Sequence, residues 1–287
     1  LQPSSMADPR TQIRRLYFDL TGLPPGPKEI KEFESNPSDE AYRKIVNELL
    51  ESKHYGERWG RHWLDIARFG ESDGFERTNP RNNLWPFRDW VISALNDDMP
   101  YDEFVRMQIA GDIIKPGTEG TSAVAFLAAG LHNTVVGGSE FMKKTARQDE
   151  LEEITGAVGQ TFFGLTVNCA RCHDHKYDPI STADYHAFAG VFASTAIHKR
   201  EIVDSTGGKS HIHIVKDGKV QDLPIFKRGD VTDKGEVIPR GFLEILSDRG
   251  SKKYTNGSGR LELANEIASS ENPLTARVAV NRIWQSL

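Results

Sequence analysis

No run of about 18 apolar residues occurs in the chain, so no segment has the length to cross a bilayer as a helix. The longest weakly polar stretch, Ser122 to Leu131, is far too short. Basic residues are not in excess either: 36 Lys and Arg stand scattered among 41 Asp and Glu, and a net charge of −5 leaves no footprint for a nucleic acid. Internal repeats and low-complexity segments are absent, which excludes solenoid architectures and long disordered tracts. Cysteine is nearly missing, with two residues three positions apart, too few for a disulfide framework. What is present is 38% hydrophobic and 27% charged, over a length that allows one large domain or two ordinary ones with a substantial core. A first residue Leu1, and an end at Leu287 directly after an amphipathic stretch, are expected of a piece of a longer chain.

Apolar residues recur at spacings of three and four over most of the first two hundred positions, which predicts a mainly α fold. Asp8-Pro9 supplies an N-cap and a first-turn proline before Ile13, Leu16, Tyr17 and Leu20, and Gly22 with Pro24 and Pro25 ends that helix. Ser38 caps a second pattern through Leu50. A third, from about Tyr55 to Phe69, puts Trp59, His62, Trp63 and Ile66 on one side, a bulky stripe suited to core packing or to a flat partner. Residues 70–84 read as a loop, Trp85-Pro86 and Tyr101-Asp102 open further helices, and helical spacing continues over 121–131 and 146–163. From about His198 the pattern alternates, and His211 to Val215 leads into Asp217-Gly218 and Val220, which predicts a hairpin turning at that Asp-Gly pair. A small β segment near 198–240 is therefore expected. Helical spacing returns at Leu261 to Ile267, and Asn272-Pro273 starts a last helix.

Both cysteines fall in the run Cys169-Ala170-Arg171-Cys172-His173. This spacing is the attachment signature of c-type haem: two thiols about one helical turn apart reach two vinyl groups on one porphyrin edge, and the next residue is directed beneath the iron. Three other uses of the motif compete. A thioredoxin-like redox pair requires a preceding strand, which the pattern lacks. A zinc site formed by Cys169, Cys172, His173 and His175 lacks the usual second, separated ligand pair, and a disulfide over so short a loop constrains little of the unfolded chain. The expectation is one covalently held haem c with His173 on the iron. Such attachment is completed in the periplasm or its equivalent, so a periplasmic or extracellular location follows.

A second iron ligand separates electron transfer from open-site chemistry. His62 and His132 are the candidate distal ligands, with Met99, Met107 and Met142 behind them. Trp59 and Trp63 are candidate haem-packing residues, and Arg58, Arg61, Arg68 and Arg171 are candidate donors to the propionates. Asp174, His175, Lys176 and Asp178 form a compact ionisable run directly after the motif, able to move protons, to orient His173, or to close the next turn. His211 and His213 share one strand face, a weak metal-binding geometry.

Gly56 to Asp65, Tyr101 to Phe104, Gly164 to Ile180 and Asn272 to Val278 together resemble the planctomycete-type cytochrome-associated proteins, large extracytoplasmic chains built from uncharacterised domains. Asn168 departs from the Gly, and Gly60 from the Ala, that the family pattern favours. The resemblance covers about residues 8–195, and it implies a companion C-terminal domain that begins near Asp222 and is expected to be cut off after Trp284. It implies extracytoplasmic redox work, an upstream cytochrome domain and a polysaccharide-related setting. The expected organisation is a helical haem-bearing domain over 8–195, a mixed β and loop segment over 196–250, and the start of the companion domain over 251–287. The leading expectation is a mono-haem c-type domain exchanging electrons with an upstream cytochrome domain or a redox partner protein. The alternatives are a haem-dependent enzyme acting on a carbohydrate or peroxide, and an extracellular assembly module with structural haem.

Overall fold

The computed structural model describes residues 2, 4–74, 80–133, 136–203, 206–247 and 253–287. Its fold is mainly α with two small antiparallel sheets.

Local chemistry sets most helix ends. Helix α1 (Pro9–Thr21) begins where the Asp8 carboxylate accepts the Thr11 N–H, and it stops at Gly22, whose φ of 71° only glycine adopts cheaply. Helices α2 (Pro27–Ser35) and α3 (Asp39–Leu50, capped by Ser38) follow. Helix α4 (Lys53–Ile66) starts earlier than the apolar pattern suggests, because Ser52 caps it through the His54 N–H. It packs closely on α5 (Trp85–Asn96): Gly56 has no side chain, and its N–H donates to Asn96 Oδ1 at 2.8 Å. Helices α6 (Tyr101–Ile114) and α7 (Thr118–Val124) come next. The pattern over 121–131 resolves into the end of α7 and a tighter 3₁₀ turn over Ala125–Ala128. Helix α8 (Glu140–Val158) also begins earlier than its apolar residues indicate, because Ser139 caps it, and it ends in one widened turn over Gly159–Phe163. Helix α9 (Thr182–Ala193) carries a full capping box between Ser181 and Asp184.

Strand β1 (Thr195–Val203) pairs with β2 (Lys209–Asp217), and β3 (Leu223–Phe226) with β4 (Lys234–Ile238). This corrects the expected hairpin. Asp217-Gly218 closes the open end of the β1–β2 pair, with Asp217 opposite Thr195, and does not turn the chain into a third strand. The reason is tertiary, since the Asp217 carboxylate is taken by Ser258 and Arg260. Helices α10 (Arg260–Ile267) and α11 (Thr275–Ser286) finish the chain, α11 starting two residues after the Asn272-Pro273 signal.

One aromatic core links these layers. Trp63 meets Phe104 edge-on at 4.8 Å, Trp90 stacks on Phe104 at 5.2 Å, and Phe126 meets Phe162 at 5.6 Å. Phe163, Phe188 and Phe242 carry the packing on to α9. Each such buried ring contributes roughly 1.5–3 kcal/mol. Phe162 and Phe163 lie directly before the cysteine motif, so its entry point is anchored in the core.

Candidate functional site

After the widened turn the chain passes Gly164, at φ 65°, and enters a 3₁₀ turn over Val167–Arg171 that ends at Cys172. Three residues per turn put positions i and i+3 on the same side, and this turn accordingly has three distinct faces. Val167 and Ala170 are fully buried against the core. Asn168 rests on Gly156, and Arg171 reaches Asp149 at 2.8 Å and Glu152, so the second face grips α8. The third face carries Cys169 and Cys172, both exposed and both free thiols. Burial alone would lower the Arg171 pKa, but its hydrogen bonds to Asp149 and Glu152 outweigh that and raise it.

The two histidines that follow hold opposite tautomers. His173 Nδ1 lies 2.7 Å from the Asp174 carbonyl, which can only accept, so Nδ1 carries a proton and, in the neutral ring, Nε2 holds the lone pair. His175 Nδ1 accepts the N–H groups of Tyr177 (3.2 Å) and Asp178 (2.8 Å), so its proton sits on Nε2 and is donated to Thr166 Oγ1 at 2.8 Å. Asp174 Oδ1 takes the Thr182 N–H at 2.8 Å, helping to start α9. Lys176 lies over the Tyr177 ring, and Asp178 is partly exposed. Asp174 and His175 therefore shape the loop, while Lys176 and Asp178 face outward. A hollow of about 700 Å³ opens beside them, walled by Asp174, His175, Asp178 and Asp184 on one side and by Glu244 and Ser247 on the other.

The remaining predicted residues lie elsewhere. His62, Trp59 and Trp63 ride on α4, which packs on α1, α3 and α5, whereas the motif packs on α8 and α9. Burial, and then Arg58 and Arg61, push the His62 pKa down. Trp63 packs against the core and its indole N–H donates to Gln108 Oε1 at 2.6 Å, and the Trp59 indole N–H is buried with no partner among the described residues. His132 Nδ1 stands 2.9 Å from Glu150 Oε1, an ion-pair distance without hydrogen-bond alignment, in a group with Arg147. Met107 is buried in the core, Met99 packs against it, and Met142 is exposed. Arg68 binds Glu153 and Gln160, Arg58 covers Gly22, and Arg61 is exposed. His213 bonds Asn83 Oδ1 at 2.9 Å, and His211 is exposed. Among the described residues no three His, Cys, Asp or Glu side chains converge as a metal site.

Two features escaped the sequence reading. Tyr185, on α9, is fully buried, and its hydroxyl has no partner among the described residues, although the charges of Arg171, Glu152 and Asp149 act on it and α9 packs against the cysteine turn. Burial raises its pKa, against a smaller pull downward from Arg171. The turn between β3 and β4 reaches Cys172: a β-carbon on Gly229 would lie 2.7 Å from Sγ. The Gly-Asp pair at 229–230 signals a turn, but nothing in the sequence says where that turn docks. The donor set fits covalently held haem: two free thiols on one face of the turn, the His173 ring held through Nδ1, and the Tyr185 hydroxyl buried without a partner among the described residues.

Residues 1–197 match a family described as protein of unknown function (DUF1549), and residues 259–287 match a second described as protein of unknown function (DUF1553). No curated protein and no solved structure matches the chain.

Proposed function

The chain belongs to DUF1549, a planctomycete-type family of proteins of unknown function, and we propose that it works there as an extracytoplasmic mono-haem c-type domain passing electrons to or from a partner. The observation that carries this reading is the 3₁₀ turn with its two free thiols on one face and His173 beside them. Cys169 and Cys172 would hold the haem, and His173 Nε2 would bind its iron. When bound, the haem supplies a one-electron carrier.

The other residues prepare that place. The Asp174 carbonyl holds the His173 ring in one orientation, as outer partners of metal-bound histidines do. Arg171 ties the turn to α8, so the thiols keep their spacing before any modification. The Tyr185 hydroxyl, without a partner among the described residues, is a donor on the helix that packs against the turn. Both ring nitrogens of His175 are committed to local hydrogen bonds, which favours electron transfer over the alternative of acid–base chemistry on a substrate.

The test is export of the chain into the periplasm of a host with c-type maturation machinery, followed by denaturing electrophoresis with haem detection and a redox titration. The expected result is haem that survives denaturation, depends on both cysteines, and titrates reversibly with soluble mediators. A wild-type protein that carries no haem, or a haem that exchanges no electrons, refutes the reading.

A further inference from the structure

The stretch between the two matched regions contributes a wall of the site. Phe226, which ends β3, donates its N–H to His186 Nε2 at 3.1 Å, and this ties the hairpin to α9. The connection to β4 is then locked: Lys227 N–H donates to the Asp233 carbonyl at 3.0 Å, and Asp230 N–H to the Lys227 carbonyl at 3.0 Å. Asp230 Oδ1 takes both the N–H and the hydroxyl of Thr232, at 2.8 and 2.7 Å. At the tip, two consecutive residues adopt left-handed backbone, Arg228 at φ 56° and Gly229 at φ 77°. Arginine is strained there, and the strain is retained where the loop meets a thiol. Any residue but glycine at 229 would place its β-carbon 2.7 Å from Cys172 Sγ, well inside contact distance.

We propose that Gly229 is the positioning residue that allows haem to be held through both cysteines instead of one. The inference rests on the haem reading above. In attachment, the Cys172 S–H adds across a vinyl group: an S–C bond forms at the inner carbon, the S–H bond breaks, and its hydrogen ends on the outer carbon. No electron is gained or lost and nothing leaves. The sulfur exchanges a hydrogen for a branched carbon and needs more room, which the bare backbone at 229 leaves. With a side chain there, Sγ must rotate away or the locked loop must lift, and Cys172 then misses its vinyl while Cys169 and His173 are engaged. Gly229 makes no such contact with Cys169.

The experiment compares wild type, Gly229→Asn and Arg228→Gly in the periplasmic system. Asparagine tolerates left-handed backbone while adding a β-carbon, and Arg228→Gly relieves strain without adding one. Mass spectrometry of tryptic peptides after thiol alkylation counts the thioethers. Wild type and Arg228→Gly should hold haem through both cysteines, and Gly229→Asn through Cys169 alone, with Cys172 alkylated. A second measurement needs no variant: in unmodified wild-type protein, Cys172 should react with iodoacetamide several-fold more slowly than Cys169, since the loop covers one side of it. Two thioethers in folded Gly229→Asn, or equal alkylation rates in wild type, overturn the inference and leave the haem reading intact. A wild type without haem overturns the haem reading instead.

Discussion

Arg260 should be the costliest single charge to remove. Its side chain is fully buried at the start of α10, where Nη1 and Nη2 form a fork onto the Asp112 carboxylate at 2.8 and 3.1 Å and Nε reaches Asp217 Oδ1 at 2.7 Å. Nη1 also lies 3.2 Å from the Ile109 carbonyl. Burial alone would lower its pKa, but Asp112 and Asp217 hold it above the ordinary arginine value. Arg260→Met keeps much of the side-chain volume but leaves the Asp112 carboxylate, only 10% exposed, with no cation. Breaking a buried pair from one side costs about 3–5 kcal/mol. In a chain of this size each kcal/mol shifts Tm by roughly 2–4 °C, so a fall of about 10 °C is expected. Thermal melts followed by circular dichroism on the haem-free protein measure it, with urea titrations checking that the m-value stays constant. Most of the penalty is the orphaned charge, so Arg260→Met combined with Asp112→Asn and Asp217→Asn should recover much of the loss. A single variant melting within about 3 °C of wild type, or a triple variant no better than the single, refutes the reasoning.

Burial, then Arg81 and Lys199, push the His213 pKa down to about 4. The fold therefore keeps the ring neutral, and stability is full above the unfolded value of about 6.5 and falls as pH drops toward 4, because the unfolded chain takes up the proton first. After solvent screening the loss is at most about 2 kcal/mol, and His213→Gln should flatten the acid limb of a Tm-versus-pH curve. Gly56→Ala would bring a β-carbon 2.4 Å from the Ile92 carbonyl oxygen and 2.6 Å from Asn96 Oδ1, so α4 and α5 must part, at about 1–3 kcal/mol in urea unfolding. His175→Ala leaves the Thr166 hydroxyl and two N–H groups without their ring partner, so the melting point should drop by an amount worth about 1–2 kcal/mol. Electron exchange in the haem-loaded His175→Ala protein should be retained, and its loss would favour the enzymatic alternative.

Features carried by neighbouring residues were legible without coordinates. Asp8, Ser38 and Gly22 set helix ends through hydrogen bonds and backbone freedom within a turn. Ser52 and Ser139 act in the same way, but apolar periodicity begins several residues inside α4 and α8 and hides those starts. The alternation around His211 to Val215 identified a strand without identifying its partner. Alternation reports which residues face inward and carries no information on which chain segment completes the ladder, so the Asp217-Gly218 turn signal does not reveal that β2 pairs with β1.

The sequence by itself determined that two thiols and a histidine lie within one turn, because three consecutive spacings leave the backbone little choice. Only the tertiary structure decided that the core and α8 occupy the other two faces of that turn and leave the thiols exposed. It likewise decided that His173 and His175 take opposite tautomers, that Tyr185 is buried beside the motif, and that Gly229, 57 positions after Cys172, meets its sulfur. Spacing encodes what residues within a turn can do together; contacts between distant segments depend on how the whole chain packs.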